Sequence, residues 1–292
     1  MKKFILCCLF VAFWVCTLDA RPSEVARPIR MEVSTKVLGL GDVVRLDVFT
    51  TKPIIKQDVT FIGKSFTLFM MPKKPRTRYH YVSFIAASRK LKSGLHFLKT
   101  DLTLSSNFKF KKDTRITLNV PKRPTGKVNL SEKKNGLSTN SKQLAKEINI
   151  LNKGFYLKTP KLYIKSAFKM PAKGRLSSKF GSLRKYNGSY SRSHAGVDIA
   201  NKVGSPVIAP NNGKVVVSQD LDVHGRTIMI DHGFGLVTVY NHLSERFSKE
   251  GQWVNKGDLI GRIGSTGVAT GPHLHWGMSV QNVRVDALKW IN

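Results

Sequence analysis

Between residues 33 and 120 apolar and polar positions alternate in short runs. Val44, Leu46 and Val48 interleave with Arg45 and Asp47, and residues 79–85, 96–104 and 115–120 repeat the period of two. Successive strand side chains point to opposite faces, so the alternation predicts half-buried strands. Gly41-Asp42, Ser93-Gly94 and the prolines from Pro72 to Pro75 punctuate them as turns. Short strands broken by turn signals predict a small β-sandwich, immunoglobulin-like in character but without its cysteines. His80 and His96 fall inside these strands and read as exposed or hydrogen-bonded strand residues.

From about Phe168 the pattern changes to β-branched runs bounded by glycine. Residues 206–210, 213–217, 227–230, 236–240 and 258–263 read as strands, separated by turns at Asn211-Asn212-Gly213, Asp231-His232-Gly233 and Lys256-Gly257-Asp258. This predicts a compact, mostly antiparallel β domain. Between the two regions the composition turns to Lys, Ser, Asn, Pro and Gly, as a linker does. Within it Asn140 is placed to cap a helix, with Gln143 reaching back and Leu144, Ile148 and Leu151 on one face. The expected organisation is mainly β: a leader over 1–20, a sandwich over 30–125, a linker with a short helix over 126–167, and a second β domain over 168–292.

The leader follows from Met1-Lys2-Lys3, an apolar stretch from Phe4 to Cys16 and a small residue at Ala20, the pattern of an export signal. It is short for a membrane span. The expectation is a periplasmic or secreted protein that is not integral to a membrane once the signal is removed. All three cysteines, Cys7, Cys8 and Cys16, lie in this segment, so structural disulfides and thiolate metal sites are excluded from the rest. A metal there must be held by imidazole and carboxylate, a set that suits zinc. The formal charge of +31 predicts attraction to anionic envelope surfaces. The basic residues are spread along the chain and no nucleic-acid motif accompanies them, so specific nucleic-acid recognition is not expected.

The chemistry concentrates near the C-terminus. In Gly271-Pro272-His273-Leu274-His275-Trp276 the two histidines share one strand face. His194-Ala195-Gly196-Val197-Asp198 and Asn241-His242-Leu243 offer further groups. A hydrolytic zinc site has three protein ligands and leaves a position to water. His194, Asp198 and His275 can supply those ligands, while His242 and His273 are free to take a proton or to bond a developing oxyanion. The helical His-Glu-x-x-His motif is absent. His224 and His232 read as turn histidines, and Tyr240 as core.

These segments, with Arg175-Leu176-Ser177-Ser178-Lys179-Phe180-Gly181 and Gly264-Ser265-Thr266-Gly267, resemble the lysostaphin-type zinc metallopeptidases, the M23 or LytM-domain family, over about Phe168 to Asp286. The resemblance implies a fold related to the duplicated hybrid motif, one zinc ion per chain, and hydrolysis of peptide bonds in peptidoglycan. It assigns the metal to His194, Asp198 and His275 and catalysis to His242 and His273. It also implies that residues 204–206 and 267–271 form loops near the site. A non-catalytic relative that docks on the wall or activates an amidase is the alternative, although such proteins lose ligands or catalytic histidines and none is lost here. A phosphocarrier or lipoyl domain shares the glycine-turn rhythm of residues 253–263 but has no use for His194 and Asp198. The order of the domains further suggests that the first domain or residues 121–167 cover the groove and restrain hydrolysis.

Overall fold

The structure is a computed structural model and describes residues 27–291 except 74, 76, 90 and 189. The expected leader lies outside the described residues. Among them no helix is long and apolar enough to cross a membrane.

The N-terminal region is two sheets. One orders the strands Ile29–Val33, Val43–Thr50, Tyr79–Ala86 and Phe69–Met70; the other orders Val37–Gly39, Lys109–Asn119, Gly94–Leu104, Ile54–Phe61 and Lys64–Phe66. In Val43–Thr50 every second residue is buried: Val44, Leu46, Val48 and Thr50. Their apolar faces meet over Leu46, Val48, Leu98, Leu102, Ile116 and Leu118, so the alternation does specify a two-sheet sandwich. The strand expected over 115–120 begins earlier, at Lys109. Its first half is Lys-Phe-Lys-Lys-Asp, whose polar run hid the period. His80 stacks on Phe49 at 4.4 Å and bonds Asp47, while His96 meets the edge of Phe61.

The C-terminal region is built on a ten-stranded sheet. Its main path runs Arg175–Ser178, Val197–Ala200, His273–Val280, Leu236–Arg246, Gly225–Asp231, Gly213–Leu221 and Trp253–Val254. Leu259–Ile263, paired with Pro206–Ile208, joins the far end of Leu236–Arg246, and Val283–Val285 returns along His273–Val280. The pairings are antiparallel, as the hairpin turns require.

Residues 125–155 are tied to this region throughout. Thr125–Val128 pairs in parallel with Leu183–Tyr186, which pairs with Tyr190–Ser193. Helix α1 (Glu132–Thr139) leads into helix α2 (Ser141–Phe155), whose cap is the expected one: Asn140 Oδ1 accepts from the Gln143 N–H at 3.0 Å. The Gln143 side chain does not reach back; it donates to Glu147 and Asp222. The buried face of α2 is also rotated from Leu144, Ile148 and Leu151. Ile148 is 43% exposed, whereas Glu147, Leu151, Gly154 and Phe155 are buried. Leu151 and Phe155 fill an apolar patch formed by Val217, Met229, Val237 and Val239. Gly154 sits where a Cβ would come 2.6 Å from Met229 Cε, which lets the helix lie this close.

Candidate active site

Strand register assembles the site. Asp198 pairs with His275, which pairs with Asn241 on its other side, so three neighbouring strands place these residues in one row. Ala200 lies opposite His273 in the adjacent row. His273 and His275 face the groove together, while Leu274 and Trp276, one step out of phase, are buried. His194 arrives on the loop before Val197–Ala200. That loop lies tight against the sheet because Gly196 has no side chain: a Cβ there would sit 2.5 Å from the Trp276 carbonyl oxygen.

His242 breaks the strand rule. Alternation would turn it away from Asn241, yet both line the same cavity. Its φ of 65° lies in the left-handed region, which costs a non-glycine residue about 1 kcal/mol or more. The twist is held by the His242 Nδ1–H donated to the Thr266 carbonyl at 2.9 Å.

Three donor atoms converge. His194 Nε2 lies 2.9 Å from His275 Nδ1, and each of these nitrogens lies 3.0 Å from Asp198 Oδ1. A tetrahedral zinc with bonds of about 2.0–2.1 Å spaces its ligand atoms by about 3.3 Å, so these three residues could hold such an ion with little movement. The surroundings orient them. His194 Nδ1 faces the Lys179 carbonyl at 3.1 Å, so it carries the proton and Nε2 presents its lone pair. Asp198 Oδ2 is taken by the Arg184 guanidinium, leaving Oδ1 for the cluster.

His242 and His273 stand beside the triangle. Their rings are 4.9 Å apart, and His273 Nε2 is 3.8 Å from Asp198 Oδ1. His273 Nδ1 donates to the Gly271 carbonyl at 2.8 Å. Both rings thus spend Nδ1–H on a backbone carbonyl and keep Nε2 as an acceptor. Burial, followed by the charges of His273 and His275, pushes His242 well below the usual imidazole range. Burial also brings His275 down to about 4 against the raising effect of its bond to Asp198. Burial alone would raise the Asp198 carboxyl, but hydrogen bonds with His194 and His275 and their charges hold it well below the usual carboxylate range. At neutral pH Asp198 is therefore a carboxylate and the imidazoles of His242 and His275 are neutral, the states that bind cations and accept protons.

The cluster opens into a groove of two adjoining cavities, about 490 Å³ and about 550 Å³, which share Arg184, Tyr186, His242 and Val268. Residues 124–128 wall the first, and Leu144 and Ile148 of α2 wall the second. Val268, Ala269 and Thr270 also line the first cavity, as expected of that loop, whereas residues 204–206 line neither. His232 lies elsewhere: it is fully buried and bonds the Asn212 carbonyl and Thr238, which bonds the Tyr240 hydroxyl. His224 borders the groove and bonds Glu147. Arg184 was not singled out from the sequence, where it is one cation among many on a short strand.

Residues 192–287 match the family model of peptidase family M23. The chain is 40% identical over 124 residues to an uncharacterized metalloprotease of Haemophilus influenzae, a match spanning 41% of this chain and 26% of that protein. It is 41% identical over 96 residues to the peptidoglycan DD-endopeptidase ShyA of Vibrio cholerae, spanning 33% of this chain and 22% of ShyA. The chain thus spans about a quarter of the length of these curated relatives. A solved structure from Pseudomonas aeruginosa assigned to peptidase M23 superposes with a TM-score of 0.59 at 26% identity, covering 82% of this chain and 88% of the other. The C-terminal region of this protein is a peptidase family M23 domain.

Proposed function

We infer that the protein is an exported, zinc-dependent endopeptidase that hydrolyses peptide bonds of bacterial peptidoglycan, in cross-links or stem peptides. Residues 168–292 would be the catalytic unit, joined through 126–167 to the sandwich of 30–125, and the protein would act in the periplasm or outside the cell. The observation that carries this reading is the triangle of His194, Asp198 and His275 flanked by two histidines with tethered Nδ1–H groups.

His194, Asp198 and His275 would hold one zinc ion, which when bound would supply a Lewis acid and lower the pKa of water to about 7. His242 and His273 keep Nε2 for the groove, where one would take the proton of the attacking water and, once charged, pass it to the leaving amine. The other donates to the oxygen that gains charge as the carbonyl is attacked. Arg184 holds the second oxygen of Asp198 and so fixes how the carboxylate faces the ion. The open groove on both sides admits an extended peptide.

The test is to purify the mature protein, measure its zinc and incubate it with isolated sacculi. About one zinc per chain and release of muropeptides are expected. A folded, zinc-loaded protein that releases nothing from any wall chemotype overturns the reading.

A further inference from the structure

Among the described residues, the half of the groove bounded by α2 is lined by three arginines, Arg89, Arg184 and Arg192, and by no aspartate or glutamate. Arg184 is committed to Asp198, and the Arg192 guanidinium donates to the Ser138 carbonyl at 3.2 Å. Arg89 differs from both. It comes from the N-terminal sandwich, just after the Tyr79–Ala86 strand, yet shares a cavity with His194, His242 and His275. Arg284, from Val283–Val285, is close enough that Arg89 is its main charged neighbour, and its guanidinium lies 3.1 Å over the Phe155 ring.

Arg89 Nε and Arg284 Nη1 are both buried without a hydrogen-bond partner, and neither side chain has an ion pair among the described residues. Burial and then the charge of Arg89 push Arg284 down to about 9, and burial and then Arg123 lower Arg89. Gathering like charges away from water is costly when no counter-charge accompanies them. Such an arrangement suits a site whose counter-charge arrives with a ligand. A guanidinium with unspent N–H groups matches a carboxylate in a two-pronged geometry.

We propose that Arg89, backed by Arg284 and flanked by Arg192, forms a subsite for a free carboxylate of a peptide lying in the groove. The substrate class is thereby an anionic, carboxylate-bearing stem peptide rather than an uncharged glycine bridge, and the N-terminal sandwich supplies a specificity residue to the peptidase. This rests on the peptidoglycan reading above and narrows it.

The test measures binding to the full mature chain carrying His273→Ala, so that bound peptide persists. The probes are a synthetic cross-linked stem peptide with its carboxylates free and the same peptide with them converted to carboxamides. The free acid is expected to bind at least about tenfold more tightly, the range of one charge-assisted hydrogen bond. Adding Arg89→Gln should bring the two peptides within about twofold, and the melting temperature should hold or rise because a repulsion has been removed. A purely structural Arg89 would instead lower it. Equal affinity for both peptides, no binding of either, or a ratio that survives Arg89→Gln overturns the proposal. The comparison of peptides needs no substitution at Arg89, so it decides even where that variant folds poorly. Sacculus digestion by the unsubstituted chain separates the two readings. Carboxylate-dependent binding without muropeptide release sinks the hydrolase and leaves the subsite; release without carboxylate dependence does the reverse.

Discussion

His273 and His275 share a face because they are two apart on a strand, and the structure puts them together beside His194 and Asp198. The turn of His242 into the groove was not legible, because it depends on a left-handed backbone and a carbonyl at Thr266, and a carbonyl has no sequence identity. Arg184 was hidden for a related reason: its importance lies in reaching Asp198 from another sheet. Two outcomes follow from this geometry. Replacing His275 by Ala removes one corner of the triangle and should abolish tight zinc binding, whereas His273→Ala should keep most of the zinc and lose turnover. Metal analysis beside a hydrolysis assay checks both, and equal zinc loss in the two variants would contradict the division. Arg184→Ala should weaken zinc binding by about 10–100-fold, as loss of a partner that orients a ligand does. Competition with a chelator reads that shift, and Arg184→Lys should restore only part of it because a single ammonium cannot match the guanidinium fork.

Among the elements, α2 shows how a helix can be predicted and its docking missed. The cap and the apolar stripe were visible, but the buried face was decided by Glu147, a residue that pattern reading assigns to solvent. Glu147 accepts from the N–H of Val223 at 2.8 Å and of His224 at 3.1 Å, and bonds His224 Nδ1 at 2.7 Å. Burial pushes its carboxyl up, but these bonds, led by His224, outweigh burial and hold it at about 2. A folded-state value below the ordinary one means stability that is full above about pH 4.5 and is lost as pH falls toward 2. Glu147→Gln should therefore cost about 2 kcal/mol near neutrality. The gap from the parent chain should close in acid, and urea titrations at pH 7 and pH 3 test this. If the gap is as wide at pH 3, the anchor is not ionic. The helix also sets where the chain can be shortened. A chain beginning at Phe168 would bare Val217, Met229, Val237 and Val239. Loss of Phe155 and Leu151 together should cost several kcal/mol, since Phe→Ala alone costs about 3–5. Such a chain is expected to aggregate or melt far lower than one that begins before α1. A thermal scan of the two decides, and equal midpoints would mean that α2 does not support the peptidase.

For the molecule as a whole, alternation shows which face of a strand is buried but not what it is buried against. The sequence therefore reads as two regions, 30–125 and 168–292, each with apolar residues enough for a core of its own. In the structure one apolar cluster runs through both, from Leu46 and Leu98 to Tyr240 and Trp276. Buried polar contacts reinforce the join. At the turn after His273–Val280, Gln281 Oε1 accepts from the Thr67 N–H at 2.7 Å while its amide donates to Ser83 Oγ at 3.0 Å, and Phe69 stacks on Phe234 at 4.7 Å. Gly41, with φ of 75°, lies where a Cβ would come 2.7 Å from the Asp286 backbone nitrogen, so the two segments touch there without side chains between them. Such a seam should make the described regions unfold together. Differential scanning calorimetry of the full mature chain is expected to show one transition whose calorimetric and van't Hoff enthalpies agree. Gln281→Ala leaves the half-buried Thr67 N–H and the buried Ser83 Oγ without this partner, at about 1–3 kcal/mol together. It should lower that single midpoint by about 2–4 °C for each kcal/mol lost. Two separated transitions in the unsubstituted chain would show that the sandwich and the peptidase melt independently. The groove would then lose Arg89 whenever the sandwich opened, while the His194, Asp198 and His275 triangle stayed folded.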